Sequence, residues 1–139
     1  MGIRKFVHSI ITVAFVFPGL SCAKNIREYN ESEIFQNFAY SICVGSAFES
    51  EEVKSDANRS ANAYIQFSNI SLESYEEVRK KADSWLARDC KSKSDKSLQL
   101  MKCIDFINSG DVQEIFVKYD PCKNKENWLD TSEYEKFCK

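Results

Sequence analysis

Apolar residues recur at helical spacing along most of the chain and predict an all-α fold. After Asn30, for example, Ile34, Phe38 and Ile42 share one face of a helix. The spacing recurs in four further stretches, and glycine and proline are scarce between them. The predicted helices span 31–48, 51–67, 72–87, 98–108 and a fifth stretch from 111 that ends at Asp120-Pro121. The pattern favours one compact bundle of about five helices over residues 24–139.

Polar residues flank several of these helices at positions that suit helix ends. Asn30, with Glu33 three residues later, has the pattern of a capping box. Ser50 and Ser71 precede the second and third helices and are typical N-cap residues. Gly110 follows the fourth helix and fits a helix stop.

The inner faces of the second, third and fourth helices follow from the same spacing. Small alanines in the second helix would allow a neighbouring helix to approach closely, and Trp85 is interpreted as a core residue of the third. The side chains predicted to be apolar contacts in these helices are Val53, Ala57, Ala61, Tyr64 and Ile65, then Leu72, Tyr75, Val78, Ala82, Trp85 and Leu86, then Leu100, Met101, Cys103, Ile104 and Ile107.

Two regions lie outside the five helices. Residues 89–97 contain no large apolar side chain, and we predict an exposed loop there that serves either as a contact element or as a linker. The tail, residues 122–139, is expected to hold a short turn of helix near 133–137. Trp128, Tyr134 and Phe137 would pack this tail back on the bundle.

Residues 1–23 have the pattern of a secretory signal peptide. Arg4 and Lys5 precede a mostly apolar run too short to span a bilayer, and Ser21 and Ala23 place small residues at the cleavage positions. Cleavage before Lys24 would release a periplasmic protein with no membrane anchor. Lipidation at Cys22 and an uncleaved anchor are the alternatives.

Charge and histidine content exclude several functions. Without the leader, 17 basic residues face 21 acidic ones, which argues against binding to nucleic acid or to an anionic membrane surface. The single histidine, His8, lies in the leader. The mature chain therefore cannot build a Ser-His-Asp triad, a Cys-His pair or an imidazole metal site. Paired carboxylates are interpreted as solvated helix surface, so we predict no enzyme, no metal and no cofactor.

Six cysteines in so short a chain suit an oxidising compartment. Cys43 and Cys103 fall on the inner faces of different helices, and a buried disulfide between the first and fourth helices is predicted. Cys122 and Cys138 flank the tail and could close it, a constraint of about 3 kcal/mol. Cys90 is then left over, either free or paired between two chains.

Four blocks of the chain resemble successive segments of one known family. They read AYSIC at 39–43, AFESEEVK at 47–54, LESYEEVR at 72–79 and LMKCIDF at 100–106. Together they are similar to the type VI secretion amidase immunity family, group four of the Tai proteins. The resemblance covers roughly residues 39–119, in the expected order.

The resemblance implies an all-helical periplasmic protein, commonly a homodimer, that binds and inhibits a cognate amidase. That amidase is a papain-like cysteine peptidase that cuts peptidoglycan stem peptides. In the family a loop between helices enters the groove of the enzyme, and the matching segment here is 89–97. The candidate contact residues are Asp89, Lys91, Ser92, Lys93, Ser94, Asp95, Lys96 and Ser97.

A different class of function remains open at this point. An exported helical domain held by disulfides could also be a periplasmic stress chaperone or a ligand-binding protein. A chaperone would expose an apolar surface to many unfolded clients, whereas an inhibitor would bind one enzyme at a fixed stoichiometry.

Overall fold

The computed structural model describes residues 25–123, 125, 128 and 130–138. The predicted signal peptide, its cleavage site and Cys22 lie outside these residues. The all-α class is confirmed: the described part contains six α-helices, short 3₁₀ turns and no strand. None of these helices is long and apolar enough to cross a membrane. The helices are α1 Glu31–Ala47, α2 Glu51–Gln66, α3 Leu72–Leu86, α4 Gln99–Asn108, α5 Asp111–Tyr119 and α6 Thr131–Phe137.

The predicted helix ends agree with the structure to within one or two residues, and most of the caps are confirmed. The Asn30 side chain accepts a hydrogen bond from the backbone N–H of Glu33, whose carboxylate accepts one from Asn30. The Ser50 hydroxyl accepts from the Val53 N–H. Ser71 is different, because its side chain accepts no bond from the helix and its carbonyl instead accepts from the Ser74 hydroxyl at 2.7 Å.

Helix α1 lies at the centre of the bundle and packs against α2, α3, α4 and α5. Its Phe35 and Phe38 are fully buried and contact the ring of Tyr75 on α3. Small residues bring α1 and α2 together, since a Cβ added at Gly45 would lie 3.3 Å from the Cβ of Ala57. The close approach predicted from the alanines of α2 is therefore confirmed.

Several residues predicted to be buried are exposed instead. Leu72, the first residue of α3, lies off the face formed by the buried Ser74 and Tyr75 of the same turn and is 70% exposed. Leu100, Met101 and Ile104 are each close to half exposed. Helix α4 buries only one side against the bundle. The residues buried on that side are Lys102, Cys103 and Phe106.

Both predicted disulfides are confirmed. Cys43 on α1 joins Cys103 on α4, with both sulfurs fully buried and the Cα atoms 5.6 Å apart. Cys122 joins Cys138 across the tail, with the Cα atoms 5.2 Å apart. Cys90 takes part in neither bond and is half-buried.

The tail differs from its prediction in one respect. Trp128 packs on Tyr134 and Phe137, and its indole N–H donates to the Pro121 carbonyl at 2.8 Å. These aromatic contacts lie within the tail, and α6 has only sparse contacts with the other helices. Phe137 remains 47% exposed. The tail is thus held mainly by its own disulfide and aromatic cluster, and only weakly by the bundle.

Candidate functional site

The polar segment between α3 and α4 folds as a short hairpin. Lys91 and Ser97 form an isolated antiparallel bridge, and the Leu98 N–H donates to the Cys90 carbonyl at 3.1 Å. Nearer the tip, the Ser92 N–H donates to the Lys96 carbonyl at 2.8 Å. The segment is therefore held by its own backbone hydrogen bonds, which a disordered linker would lack.

The tip of the hairpin is a three-residue turn. The Asp95 N–H donates to the Ser92 carbonyl at 3.0 Å, and Asp95 takes a left-handed backbone conformation with φ of 59°. A turn followed by a left-handed residue is a common way to close a hairpin with three loop residues. Asparagine and aspartate are the non-glycine residues that adopt this conformation most readily.

Side chains of the segment stabilise the same shape. The Lys91 Nζ lies 3.1 Å from a carboxylate oxygen of Asp95 and 3.9 Å from one of Asp89. The Ser92 hydroxyl accepts from the Lys96 N–H at 3.2 Å and lies 2.9 Å from the Ser94 hydroxyl. These ion pairs are exposed, so each adds little stability in water, about 0–1 kcal/mol.

All eight candidate contact residues belong to this one hairpin. Ser92 is half-buried at the turn, and the other seven are exposed. These seven are Asp89, Lys91, Lys93, Ser94, Asp95, Lys96 and Ser97. The hairpin presents three ammonium groups, two carboxylates and three hydroxyls, so it offers a partner many hydrogen-bonding groups and almost no apolar area.

The end of α3 is fixed to the rest of the bundle just before the hairpin begins. The Trp85 indole N–H donates to the Asp111 carboxylate of α5 at 2.7 Å. The Arg88 guanidinium lies over the Trp85 ring, 3.3 Å from its centroid, in a cation–π contact. The Trp85 ring also packs against Phe106 of α4. The core role predicted for Trp85 thus includes a polar link between two helices.

The electrostatics of this link favour an ionised Asp111. The hydrogen bond from the Trp85 indole holds the pKa of the Asp111 carboxyl below its ordinary value. Lys81, whose Nζ lies 3.3 Å from the same carboxylate, acts in the same direction. Asp111 is also the first residue of α5, where a negative charge suits the helix dipole.

Sequence reasoning missed the order within the hairpin and one of its anchors. Lys102 of α4 is buried, and its Nζ donates to the Leu86 carbonyl at the end of α3 at 2.7 Å. The turn itself had a signal, because Ser92-Lys93-Ser94-Asp95 is rich in residues that favour turns. The burial of Lys102 had a weaker signal, namely that Lys102 directly precedes Cys103, which lies on the predicted inner face of the helix.

A concave region of the surface lies near the start of α1. It is a cleft of about 690 Å³ whose walls include Ile26, Arg27, Phe67, Phe116 and Phe137. No residue of the hairpin lines it. The cleft and the hairpin are therefore separate features of the surface.

Comparison with known proteins identifies relatives of the whole bundle. Residues 33–116 match the family described as type VI secretion system (T6SS), amidase immunity protein, Tai4. The match spans α1 to the middle of α5 and includes the hairpin. No curated protein sequence matches the chain.

Solved structures with a similar fold come from effector–immunity complexes. A chain of the Tae4/Tai4 effector–immunity system from Salmonella typhimurium is 28% identical, with a TM-score of 0.64. The alignment covers 69% of this chain and 96% of that one. A chain of the Tae4–Tai4 complex from Enterobacter cloacae is 26% identical, with a TM-score of 0.61 and coverage of 67% and 95%. Because the family match spans more than half of the residues, this chain belongs to the Tai4 family of type VI secretion system amidase immunity proteins.

Proposed function

We propose that this protein binds a cognate Tae4-type amidase and inhibits it by placing the hairpin 89–97 in the active-site groove. The observation that carries the proposal is the hairpin itself, an exposed polar element with its own backbone bonds, anchored on a disulfide-linked bundle. An element that is already ordered loses little conformational entropy on binding, which favours tight inhibition.

The chemistry of the hairpin suits a polar groove. Its ammonium, carboxylate and hydroxyl groups would form hydrogen bonds with groove residues, while its bulk would exclude the peptidoglycan stem peptide. The remaining surface is acidic on balance, since the mature chain carries four more acidic than basic residues. This charge would speed association with a basic enzyme, and added salt would reduce the effect.

Alkylation of the amidase's nucleophilic cysteine tests whether the groove is blocked. We expect iodoacetamide to modify this cysteine rapidly in the free enzyme and far more slowly in the one-to-one complex. Peptide mass spectrometry separates the signal of the enzyme from that of Cys90 in the immunity protein. Equal alkylation rates in the free and bound enzyme would show that the groove stays open and would refute occlusion.

The proposal extends to the compartment. We infer that the mature protein begins at Lys24 and works in the periplasm, where peptidoglycan is cut. The buried Cys43–Cys103 disulfide and the Cys122–Cys138 disulfide that closes the tail both support an oxidising compartment. Mass spectrometry of protein released from the periplasm should give a mature N-terminus at Lys24. A lipid-modified Cys22 in the membrane fraction would contradict this part.

We also propose that the protein is a homodimer, as members of this family commonly are. The half-exposed apolar residues of α4 leave apolar surface available for an interface.

The rival functions, a chaperone or a ligand-binding protein, have less support. The cleft near α1 is the feature that a small ligand would need, and it lies apart from the part of the surface that carries the polar hairpin.

A further inference from the structure

Helix α4 carries a lysine that is almost completely buried. Lys102 is 6% exposed, although lysine is seldom buried unless its ammonium group has partners. Its Nζ donates to the backbone carbonyl of Leu86 at 2.7 Å. Among the described residues, no carboxylate lies within ion-pair distance of this Nζ. The lysine ammonium group therefore has a backbone carbonyl as its partner instead of an acidic side chain.

The acceptor explains why a cation is useful at this place. Leu86 is the last residue of α3, and the final carbonyls of a helix have no partner within the helix. They also form the negative end of the helix dipole, which a positive side chain stabilises. Lys102 thus caps the end of α3 from a neighbouring helix.

Lys102 is itself firmly placed. It precedes Cys103, whose disulfide with Cys43 joins α4 to α1 in the centre of the bundle. Leu86 and Lys102 stand on either side of the hairpin 89–97 in the chain. The bond between them closes the base of the segment that contains the hairpin.

We propose that Lys102 is a positioning residue for inhibition: its bond to the Leu86 carbonyl fixes the direction in which the hairpin leaves the bundle. The hairpin's own bonds, such as Leu98 N–H to the Cys90 carbonyl, do not involve Lys102. Loss of the lysine would therefore leave the hairpin folded while the last turn of α3 frays and the hairpin swings. The effect on inhibition rests on the function proposed above.

The Lys102→Met variant removes the donor and keeps most of the aliphatic length. If the hairpin then points correctly in about a tenth of the molecules, the dissociation constant for the amidase rises about tenfold. Lys102→Arg keeps a donor and a charge and should recover most of the affinity. Ala61→Gly in α2 serves as the matched control, because it destabilises the bundle away from the hairpin.

Hydrogen exchange of the free protein supplies a readout that does not depend on the amidase. In Lys102→Met the amides of Ala87 and Arg88, which donate to Asp83 and Trp85, should exchange faster than in the wild type and in Ala61→Gly. Unchanged exchange at these two amides would overturn the inference. Faster exchange with unchanged affinity would also overturn it, because the hairpin's direction would then have no bearing on inhibition.

Replacement of residues 91–96 by a glycine-serine linker separates this inference from the proposed function. If replacement of the hairpin leaves inhibition intact, the proposed contact surface is wrong, whatever Lys102 does. If that replacement abolishes inhibition while Lys102→Met behaves like Ala61→Gly in affinity, the contact surface stands and the positioning role falls.

Discussion

Asp111 shows how one side chain joins two helices near the candidate site. Its carboxylate accepts the Trp85 indole N–H and pairs with Lys81, so the last turn of α3 and the first turn of α5 share one anionic group. The side chain is 23% exposed, which leaves these contacts only partly screened by water. We expect this link to depend on the charge of Asp111.

The pH dependence of stability tests the link. Because the folded-state pKa of Asp111 lies below its ordinary value of 3.8, its contribution is complete above that value and is lost as the pH falls through the lowered pKa. Asp111→Asn should therefore lower the free energy of unfolding by about 1–2 kcal/mol at pH 7. Urea unfolding at pH 7 and near pH 3 measures this, and the difference between variant and wild type should shrink at the lower pH. A constant difference at both pH values would contradict the assignment.

Asp95 stabilises the hairpin through both its backbone and its side chain. Its left-handed conformation closes the hairpin, and its carboxylate pairs with Lys91. Asp95→Val should destabilise the turn by about 1–2 kcal/mol, because a β-branched residue disfavours positive φ. Asp95→Asn also loses the carboxylate and its exposed ion pair with Lys91, but it retains the backbone preference. Amidase titration should therefore show weaker inhibition for the valine variant than for the asparagine variant, and equal inhibition would contradict the role of the turn.

At the level of elements, the two disulfides act on different parts of the molecule. Cys43–Cys103 joins two central helices and closes a segment with a sequence separation of 60 residues. Cys122–Cys138 closes a segment with a separation of 16 residues that packs mainly on itself. The constraint of about 3 kcal/mol expected for the tail therefore acts on the folding of the tail more than on the bundle.

Paired alanine variants separate these roles. Cys43→Ala with Cys103→Ala should lower the stability of the main unfolding transition by about 4 kcal/mol or more, since it also opens space in the core. Cys122→Ala with Cys138→Ala should leave that transition nearly unchanged and loosen α6. Thermal melts by circular dichroism, with hydrogen exchange in the tail, give both values. Similar losses in the two variants would show that tail and bundle unfold together.

The helices and the central disulfide could be predicted because their signals are local and repetitive. Ile34, Phe38 and Cys43 mark an inner face by spacing alone, and Asn30 with Glu33 marks its start. The burial of individual residues is harder to predict, because spacing does not show how far the packed face extends around a helix. Leu72 is 70% exposed, whereas Ser74 in the same turn is fully buried.

The candidate site was only partly predictable, for a related reason. Its position follows from a run of polar residues, but the pairing of Lys91 with Ser97 depends on backbone bonds that leave no apolar pattern. Lys102 is harder still, because its partner is a carbonyl that exists only once α3 has ended at Leu86. Such contacts arise from the folded arrangement of two helices and not from either sequence segment alone.

For the whole molecule, the homodimer proposal gives a direct expectation of mass. Light scattering of the purified mature protein should report twice the mass of one chain. Cys90→Ser should retain the dimer if the association is non-covalent, and it should give monomers if Cys90 joins two chains. A monomer in the unmodified protein across a range of concentrations would contradict the proposal.

The central claim, that the hairpin is the inhibitory element, is tested most directly by replacing residues 91–96 with a glycine-serine linker of the same length. The replaced segment lies outside every helix, so the circular dichroism spectrum should keep its helical signal. Titration of the cognate amidase with wild-type and linker proteins then compares inhibition at one-to-one stoichiometry. We predict a loss of affinity of about a hundredfold or more for the linker protein, since a few central contacts supply most of the binding energy. Unchanged one-to-one inhibition by the folded linker protein would contradict the account and place the contact surface on the helices.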